Sequence, residues 1–115
     1  MPSSESASLP LRPVEFYILL ALTGREHHGY AILQETQERS GGQVLLEPGT
    51  LYRALRRLLR AGLIARSEPR QGEDDDVRRR YYRLTESGRR LAAAEASRMA
   101  DLVLTARTRG LLKKA

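Results

Sequence analysis

Residues 48–67 read PGTLYRALRRLLRAGLIARS, and this stretch decides the fold. Four of its leucines follow the i, i+4, i+7, i+8 spacing of one buried helix face: Leu51, Leu55, Leu58 and Leu59. Pro48 suits the first turn of a helix, because its missing N–H is not needed there. Gly62 ends the helix, and residues 63–67 are typical of a short strand. The stretch therefore predicts an amphipathic helix that leads directly into a strand.

The other side of this helix is positively charged, and no acidic residue occurs between Pro48 and Ser67. Such a patch of one sign is the electrostatic footprint of a nucleic-acid-binding surface, and an arginine fork matches the edge of guanine. The amino end of the helix offers N–H groups to a phosphate, and we expect a tyrosine there to reach the groove edge. The predicted DNA contacts on this helix are Gly49, Thr50, Tyr52, Arg53, Arg56 and Arg57. A solvated face with salt bridges to its neighbours is the alternative.

The flanking segments predict two helices before this one and a second strand after it. Pro13 opens the first helix and Gly24 ends it, whereas the second helix spans residues 29–40, with Tyr30 on its inward stripe. His27 and His28 are interpreted as a turn and capping pair. Residues 78–84 predict the second strand, antiparallel to the first across a loop with an acidic tip. The order α-α-α-β-β is that of a winged helix-turn-helix, whose third helix enters the major groove. On the ribbon, the candidate DNA contacts are Arg78, Arg79 and Arg80.

A long last helix is predicted from Thr85, placed as its N-cap, to Arg109. At 1.5 Å per residue it reaches about 37 Å, which the preceding domain cannot cover. Its distal half therefore requires a partner helix, and we interpret it as a dimerisation element. The residues on its apolar stripe are Leu91, Met99, Leu102, Val103 and Ala106. The predicted organisation is a disordered arm over residues 1–8, a winged helix-turn-helix over residues 9–88, and a dimerisation helix with a tail over residues 89–115.

The composition supports a nucleic-acid-binding protein and argues against an enzyme. The chain has 115 residues and a net charge of +6, which divides into −3 for residues 1–50 and +9 for residues 51–115. Without cysteine and with two histidines, it has no thiolate or three-histidine metal site, and no metal or other cofactor is expected. No Ser/His/acid arrangement, paired carboxylates or glycine-rich phosphate loop is evident. No apolar run approaches the length of a membrane span and no signal peptide is recognised, so a cytoplasmic protein is predicted.

Four segments together resemble the PadR family of bacterial transcriptional regulators. They are His28-Gly29-Tyr30, Pro48-Gly49-Thr50-Leu51-Tyr52-Arg53-Ala54-Leu55-Arg56-Arg57-Leu58, Gly62-Leu63-Ile64 and Arg80-Tyr81-Tyr82-Arg83-Leu84-Thr85-Glu86-Ser87-Gly88. The resemblance implies a mainly α fold with a small two-stranded β wing, a dimeric repressor, and a single C-terminal dimerisation helix as in the compact branch of the family. Many members respond to small aromatic or amphiphilic compounds near the dimer interface. Two departures are Glu47, where the family tends to have a hydroxyl N-cap, and the acidic run over residues 73–76.

The sequence thus predicts a dimeric DNA-binding repressor of transcription that recognises a roughly palindromic site in double-stranded DNA. A small hydrophobic or aromatic effector is a further expected partner. A cavity between the domains would be lined by small side chains of the last helix: Ala92, Ala93, Ala96 and Met99. Two alternatives stay open. One is a winged-helix module that binds a protein or RNA without an operator, and the other is a membrane- or ligand-binding helical protein without DNA binding.

Overall fold

The computed structural model of the chain describes residues 9–43, 47–67 and 80–113. In these residues four helices and three short strands follow one another as α1 (Pro13–Ala21), β1 (His27–His28), α2 (Gly29–Arg39), α3 (Pro48–Arg60), β2 (Ile64–Arg66), β3 (Tyr81–Leu84) and α4 (Glu86–Thr108). The predicted winged helix-turn-helix with a long C-terminal helix is confirmed. The predicted arm over residues 1–8 and the acidic run over residues 73–76 lie outside the described residues.

The helices begin where the sequence predicts them. Pro13 occupies the first turn of α1, and Pro48 that of α3. Thr85 caps α4, because its side chain accepts a hydrogen bond from the Gly88 amide at 3.0 Å. His28 caps α2, since its Nδ1 accepts from the Ala31 amide at 3.1 Å. These caps satisfy backbone donors that have no partner within the helix.

The sheet has three strands, whereas the sequence predicted a two-stranded wing. The order is β1-β3-β2 and both pairings are antiparallel. His27 pairs with Tyr82 and His28 with Tyr81, so the two histidines form the third strand, and His28 in addition caps α2. This strand has only two residues, which is too short for an alternating pattern to reveal it. The extra strand ties the start of α2 to the ribbon.

The core lies between α1, α3 and the sheet. Leu51, Leu55 and Leu58 of α3 are buried, as the leucine spacing predicts, whereas Leu59 is only partly buried. Ile18 and Leu19 of α1 belong to the same core cluster. Of the adjacent tyrosines in β3, Tyr82 faces the core at 4% exposure. The interpretation of Tyr30 as an inward residue is wrong: its side chain is 50% exposed, because α2 buries Gly29, Ile32 and Thr36 instead.

The start of α4 packs directly against the turn between α3 and β2. The Thr85 hydroxyl donates to the Gly62 carbonyl oxygen at 2.7 Å, and the Thr85 amide donates to the Leu63 carbonyl oxygen at 3.1 Å. Gly88 lies against the same Leu63 carbonyl, so closely that a Cβ at position 88 would overlap the oxygen and the Leu84 side chain. Only glycine allows this approach, which sets the position of the long helix on the domain.

We expect Gly88→Ala to lower the free energy of unfolding by about 3 kcal/mol, because the added methyl group would overlap the Leu63 carbonyl, which the Thr85 amide holds in place. Helix propensity alone would favour alanine by roughly 1 kcal/mol, so the sign of the change separates the two effects. Urea denaturation followed by circular dichroism measures it. Ser87→Ala, at the exposed neighbouring position, is the control and should stay within about 0.5 kcal/mol of the unsubstituted chain. Equal stability of the two variants would contradict the close approach.

Candidate nucleic-acid interface

Helix α3 presents a basic outer side, because its apolar side is committed to the core. Leu51, Leu55 and Leu58 have at most 1% of their surface exposed. Arg53 and Arg56 lie on the other side and are exposed. No carboxylate among the described residues pairs with Arg56, so its guanidinium is available to an external partner.

Three of the predicted contacts, Gly49, Thr50 and Arg53, lie together at the amino end of α3. Gly49 and Thr50 are exposed, and the Arg53 guanidinium folds back over them. Its Nη2 donates to the Thr50 hydroxyl at 3.3 Å, while its Nη1 lies 3.4 Å from the position that a Cβ on Gly49 would take. Glu47 makes no capping hydrogen bond, so in the described part of the chain no side chain caps this end. The amides of Gly49 and Thr50 therefore remain open to an anion, at the positive end of the helix dipole.

Arg57 differs from the other predicted arginine contacts. Its Nε atom lies 3.3 Å from Oε2 of Glu15 on α1, and its side chain is 33% exposed. Glu15 is buried, with 9% of its side chain exposed. The sequence interpretation overlooked this pair, because the carboxylate comes from a helix 42 residues earlier. One donor of Arg57 is thus committed within the fold.

Tyr52, which we expected at the groove edge, is half-buried between α3 and α2, and its contact with DNA stays a prediction. Its ring packs against Gly29 at the start of α2, where a Cβ would come within 3.0 Å of the ring carbon Cε1. The side chain is half-buried and contacts the hydrophobic core. The orientation follows from the missing side chain at Gly29, which leaves a recess that the ring fills. Tyr52 therefore joins α3 to α2.

On the ribbon, the structure describes one of the three predicted arginines. Arg80 is partly buried just before β3, and among the described residues its Nε has no hydrogen-bond partner. Arg78 and Arg79 lie outside the described residues. Two further arginines, Arg66 in β2 and Arg83 in β3, are exposed on the sheet. The sequence analysis did not single them out, because short strands do not reveal which face each residue occupies.

The apolar stripe of α4 divides into a proximal and a distal part. Leu91 packs against the hydrophobic core of its own chain, and Met99 and Ala106 are partly buried. Leu102 and Val103 are exposed at 58% and 42%. Leu104, which lies outside the predicted stripe, is 60% exposed. The distal half of α4 therefore presents an apolar surface that the described part of the chain leaves uncovered.

A cavity of about 180 Å³ lies between α1, the end of β3 and α4. Three of the four small side chains proposed to line such a cavity do so, and Met99 does not. The lining residues are Phe16, Leu20, Thr23, Leu84, Arg89, Ala92, Ala93 and Ala96. The walls are mostly apolar, with one guanidinium at Arg89.

None of the helices in the described residues has the length and apolar character needed to cross a membrane.

Several solved structures of known proteins are similar to this architecture. A PadR family transcription regulator from Clostridium difficile is 24% identical, with a TM-score of 0.69 over 84% of this chain and 97% of that one. A transcriptional regulator from Clostridium thermocellum is 23% identical, with a TM-score of 0.67 over 86% of this chain and 90% of that one. These two likenesses show the fold.

Bacillus subtilis PadR, solved in complex with operator DNA, is 26% identical, with a TM-score of 0.62 over 72% of this chain and 46% of that one. A search of curated protein sequences found no significant match. The model of the PadR-like family, a family of transcriptional regulators and not of enzymes, matches residues 18–94. The chain therefore belongs to the PadR-like family of transcriptional regulators.

Proposed function

We propose that the chain is a sequence-specific DNA-binding regulator that acts as a dimeric repressor and is relieved by a small effector. One observation carries the proposal. The uncapped amino end of α3 presents the open amides of Gly49 and Thr50 beside the guanidinium group of Arg53, and Arg56 is exposed further along the same helix. Backbone donors of this kind bind phosphates, and arginine forks read guanine edges in the major groove.

The distribution of charge supports DNA as the partner. The net charge of residues 51–115 is +9, and α3 carries basic residues without a single acid. The Bacillus subtilis relative, which shares the fold, was solved with operator DNA. Arg66 and Arg83 add exposed positive charge on opposite faces of the sheet, since Arg66 shares its face with Tyr82 and Arg83 shares its face with Ala65. Contacts to phosphates would position the domain, and a smaller number of contacts to base edges would specify the sequence.

The distal half of α4 supports a second copy of the chain as the other partner. Leu102, Val103 and Leu104 are exposed on a helix of 23 residues, which is about 35 Å long. Exposed apolar side chains on the distal half of α4 favour pairing with a helix of matching pattern. A two-fold symmetric dimer presents two α3 helices and requires a roughly palindromic operator, with half-sites about one helical turn apart.

The cavity between α1 and α4 supports an effector. Its volume of about 180 Å³ fits a small hydrophobic or aromatic group. The cavity borders α1, which packs on α3, and α4, which is the proposed dimerisation helix. A ligand that binds there with different affinities in two arrangements of these helices would shift the population of the DNA-binding form.

DNA binding is tested with a duplex selected from a random pool and by fluorescence anisotropy between about 50 and 200 mM salt. We expect the affinity to fall at least about tenfold over this range, because neutralised phosphates release counterions. Arg56→Ala should weaken binding about tenfold, since one arginine contact to DNA is worth roughly 1–3 kcal/mol. Lys113→Ala removes the same charge beyond the end of α4 and should change the affinity by less than about twofold.

Two results would contradict operator binding. One is an affinity that does not change with salt, and the other is an equal loss in the Arg56→Ala and Lys113→Ala variants. Selection of RNA, or of no nucleic acid at all, would favour the alternative of an interaction module.

The adjacent arginines of α3 should separate binding from stability. Arg57→Ala breaks the pair with the buried Glu15 carboxylate, and we expect it to lower the free energy of unfolding by about 1–2 kcal/mol. Arg56→Ala removes an exposed side chain and should leave stability within about 0.5 kcal/mol. Thermal and urea denaturation of both variants provide the measurement. The assignment fails if Arg56→Ala proves the less stable of the two.

Dimerisation through the distal half of α4 is tested with Val103→Glu. A carboxylate placed in an apolar helix interface has no partner there, so we expect monomers at concentrations where the unsubstituted chain is a dimer. Thr105→Glu adds the same charge to the polar side of α4 and should leave the dimer intact. Light scattering coupled to size-exclusion chromatography measures both. A dimeric Val103→Glu protein would show that this face is not the interface.

A further inference from the structure

A short segment before α1 connects the long helix to the DNA-facing helix. Residues 10–13 read PLRP, and because proline has no N–H, the segment has only two backbone donors. Both donate to carboxylates of other elements. The Leu11 amide donates to Oε2 of Glu95 on α4 at 2.9 Å, and the Arg12 amide donates to Oε1 of Glu15 on α1 at 3.0 Å.

Each of these carboxylates also holds an arginine. Oε1 of Glu95 accepts from Nε of Arg98 at 2.6 Å, and Oε2 of Glu95 from its Nη2 at 3.1 Å. The second oxygen of Glu15 lies 3.3 Å from Nε of Arg57 on α3. A continuous polar path therefore runs from Glu95 on α4, through two consecutive backbone amides and Glu15, to Arg57 on the proposed DNA-binding helix.

The burial of the two carboxylates makes the path energetically consequential. The Glu95 side chain has 0% of its surface exposed, and that of Glu15 has 9%. A buried charge is tolerated only when it is paired and hydrogen-bonded, so neither carboxylate can give up its partners at low cost. The hydrogen bond from Arg98 lowers the pKa of Glu95; burial opposes this effect and the Leu11 amide adds to it. Glu95 is therefore anionic at neutral pH.

The segment between the carboxylates is stiff. Pro10 and Pro13 each fix one backbone torsion, and the Leu11 side chain is 6% exposed in the hydrophobic core. A displacement of Glu95 therefore reaches Arg12 and Glu15 instead of being absorbed by a flexible linker.

We propose that Glu95 and Glu15 are positioning residues that couple the placement of α4 to the orientation of Arg57 on α3, an inference that rests on the proposed DNA-binding function. Glu15 fixes Nε of Arg57, and the Arg57 side chain keeps 33% of its surface exposed for an external acceptor. Whatever shifts α4 against α1, such as dimer formation or a ligand in the neighbouring cavity, changes how Arg57 is presented to DNA.

The first test reads the path without DNA. The Nε–Hε resonance of Arg57 in a ¹⁵N spectrum, assigned with Arg57→Lys, reports its bond to Glu15. We expect Glu95→Gln to shift this resonance, although Glu95 does not touch Arg57, because a neutral amide cannot hold both Arg98 and the Leu11 amide as strongly. Glu35→Gln is the matched control, since Glu35 on α2 also bridges two arginines, Arg25 and Arg39, at 3.0 Å each.

An unchanged Arg57 resonance in folded Glu95→Gln would overturn the coupling, and so would an equal shift in Glu35→Gln. Should Glu95→Gln fail to fold, Arg98→Lys keeps a cation beside the same carboxylate while removing the two-pronged guanidinium contact, and it is judged by the same two criteria.

The second test is a double-mutant cycle on the affinity for the selected duplex. We expect Glu95→Gln to weaken binding about threefold to tenfold, the size of couplings carried by packed networks. In the Arg57→Ala background the same substitution should change the affinity by less than about twofold, because the end of the path is gone. A purely structural role predicts the same loss in both backgrounds, and that result would overturn the proposal.

Failure of the coupling and failure of the proposed function give different results. If the chain is not a DNA-binding regulator, the unsubstituted protein shows no salt-dependent affinity for any duplex. If only the coupling is wrong, the unsubstituted protein binds and the two substitutions are additive.

Discussion

The burial of one face of α3 is the constraint on which the rest of the molecule depends. Leu51, Ala54, Leu55 and Leu58 have 1% exposure or less, and each large side chain contributes roughly 1.5–3 kcal/mol when it leaves water. With this face held against α1, the arginines between the leucines have to point outward. The apolar contacts that stabilise the domain therefore also place the basic surface. Both the stability and the position of the charge follow from the spacing of the leucines in α3.

Small residues determine how the other elements approach this helix. The Tyr52 ring fills the recess at Gly29, which brings the start of α2 against α3. Gly88 lets α4 lie against the Leu63 carbonyl, and the Thr85 hydroxyl donates to the Gly62 carbonyl at the same junction. The sequence segments that indicated the PadR family are therefore packing partners of one another.

Elements with a long periodic pattern were predictable from the sequence, and contacts between distant residues were not. The three core helices and α4 begin at the residues that the sequence predicts, but β1 has two residues and carries no pattern. The outward direction of Arg53 and Arg56 follows from the helical period. The inward ring of Tyr52 depends on a glycine in another helix. Glu95 bonds an amide 84 residues away, and no local signal could have identified that donor.

Ion pairs between acids and arginines explain why the small net positive charge of the chain is concentrated on one surface. Glu15 and Glu95 are buried and each holds an arginine, while Glu35 bridges two more on α2. These carboxylates neutralise the arginines with which they pair, and the pairs stabilise contacts within the domain. In the described residues no acid lies on the outer face of α3, so the field there combines the exposed guanidinium groups of Arg53 and Arg56 with the positive end of the helix dipole. Under the proposed function, a phosphate of the DNA backbone would be attracted to that end of α3, where Gly49 and Thr50 leave their amides open.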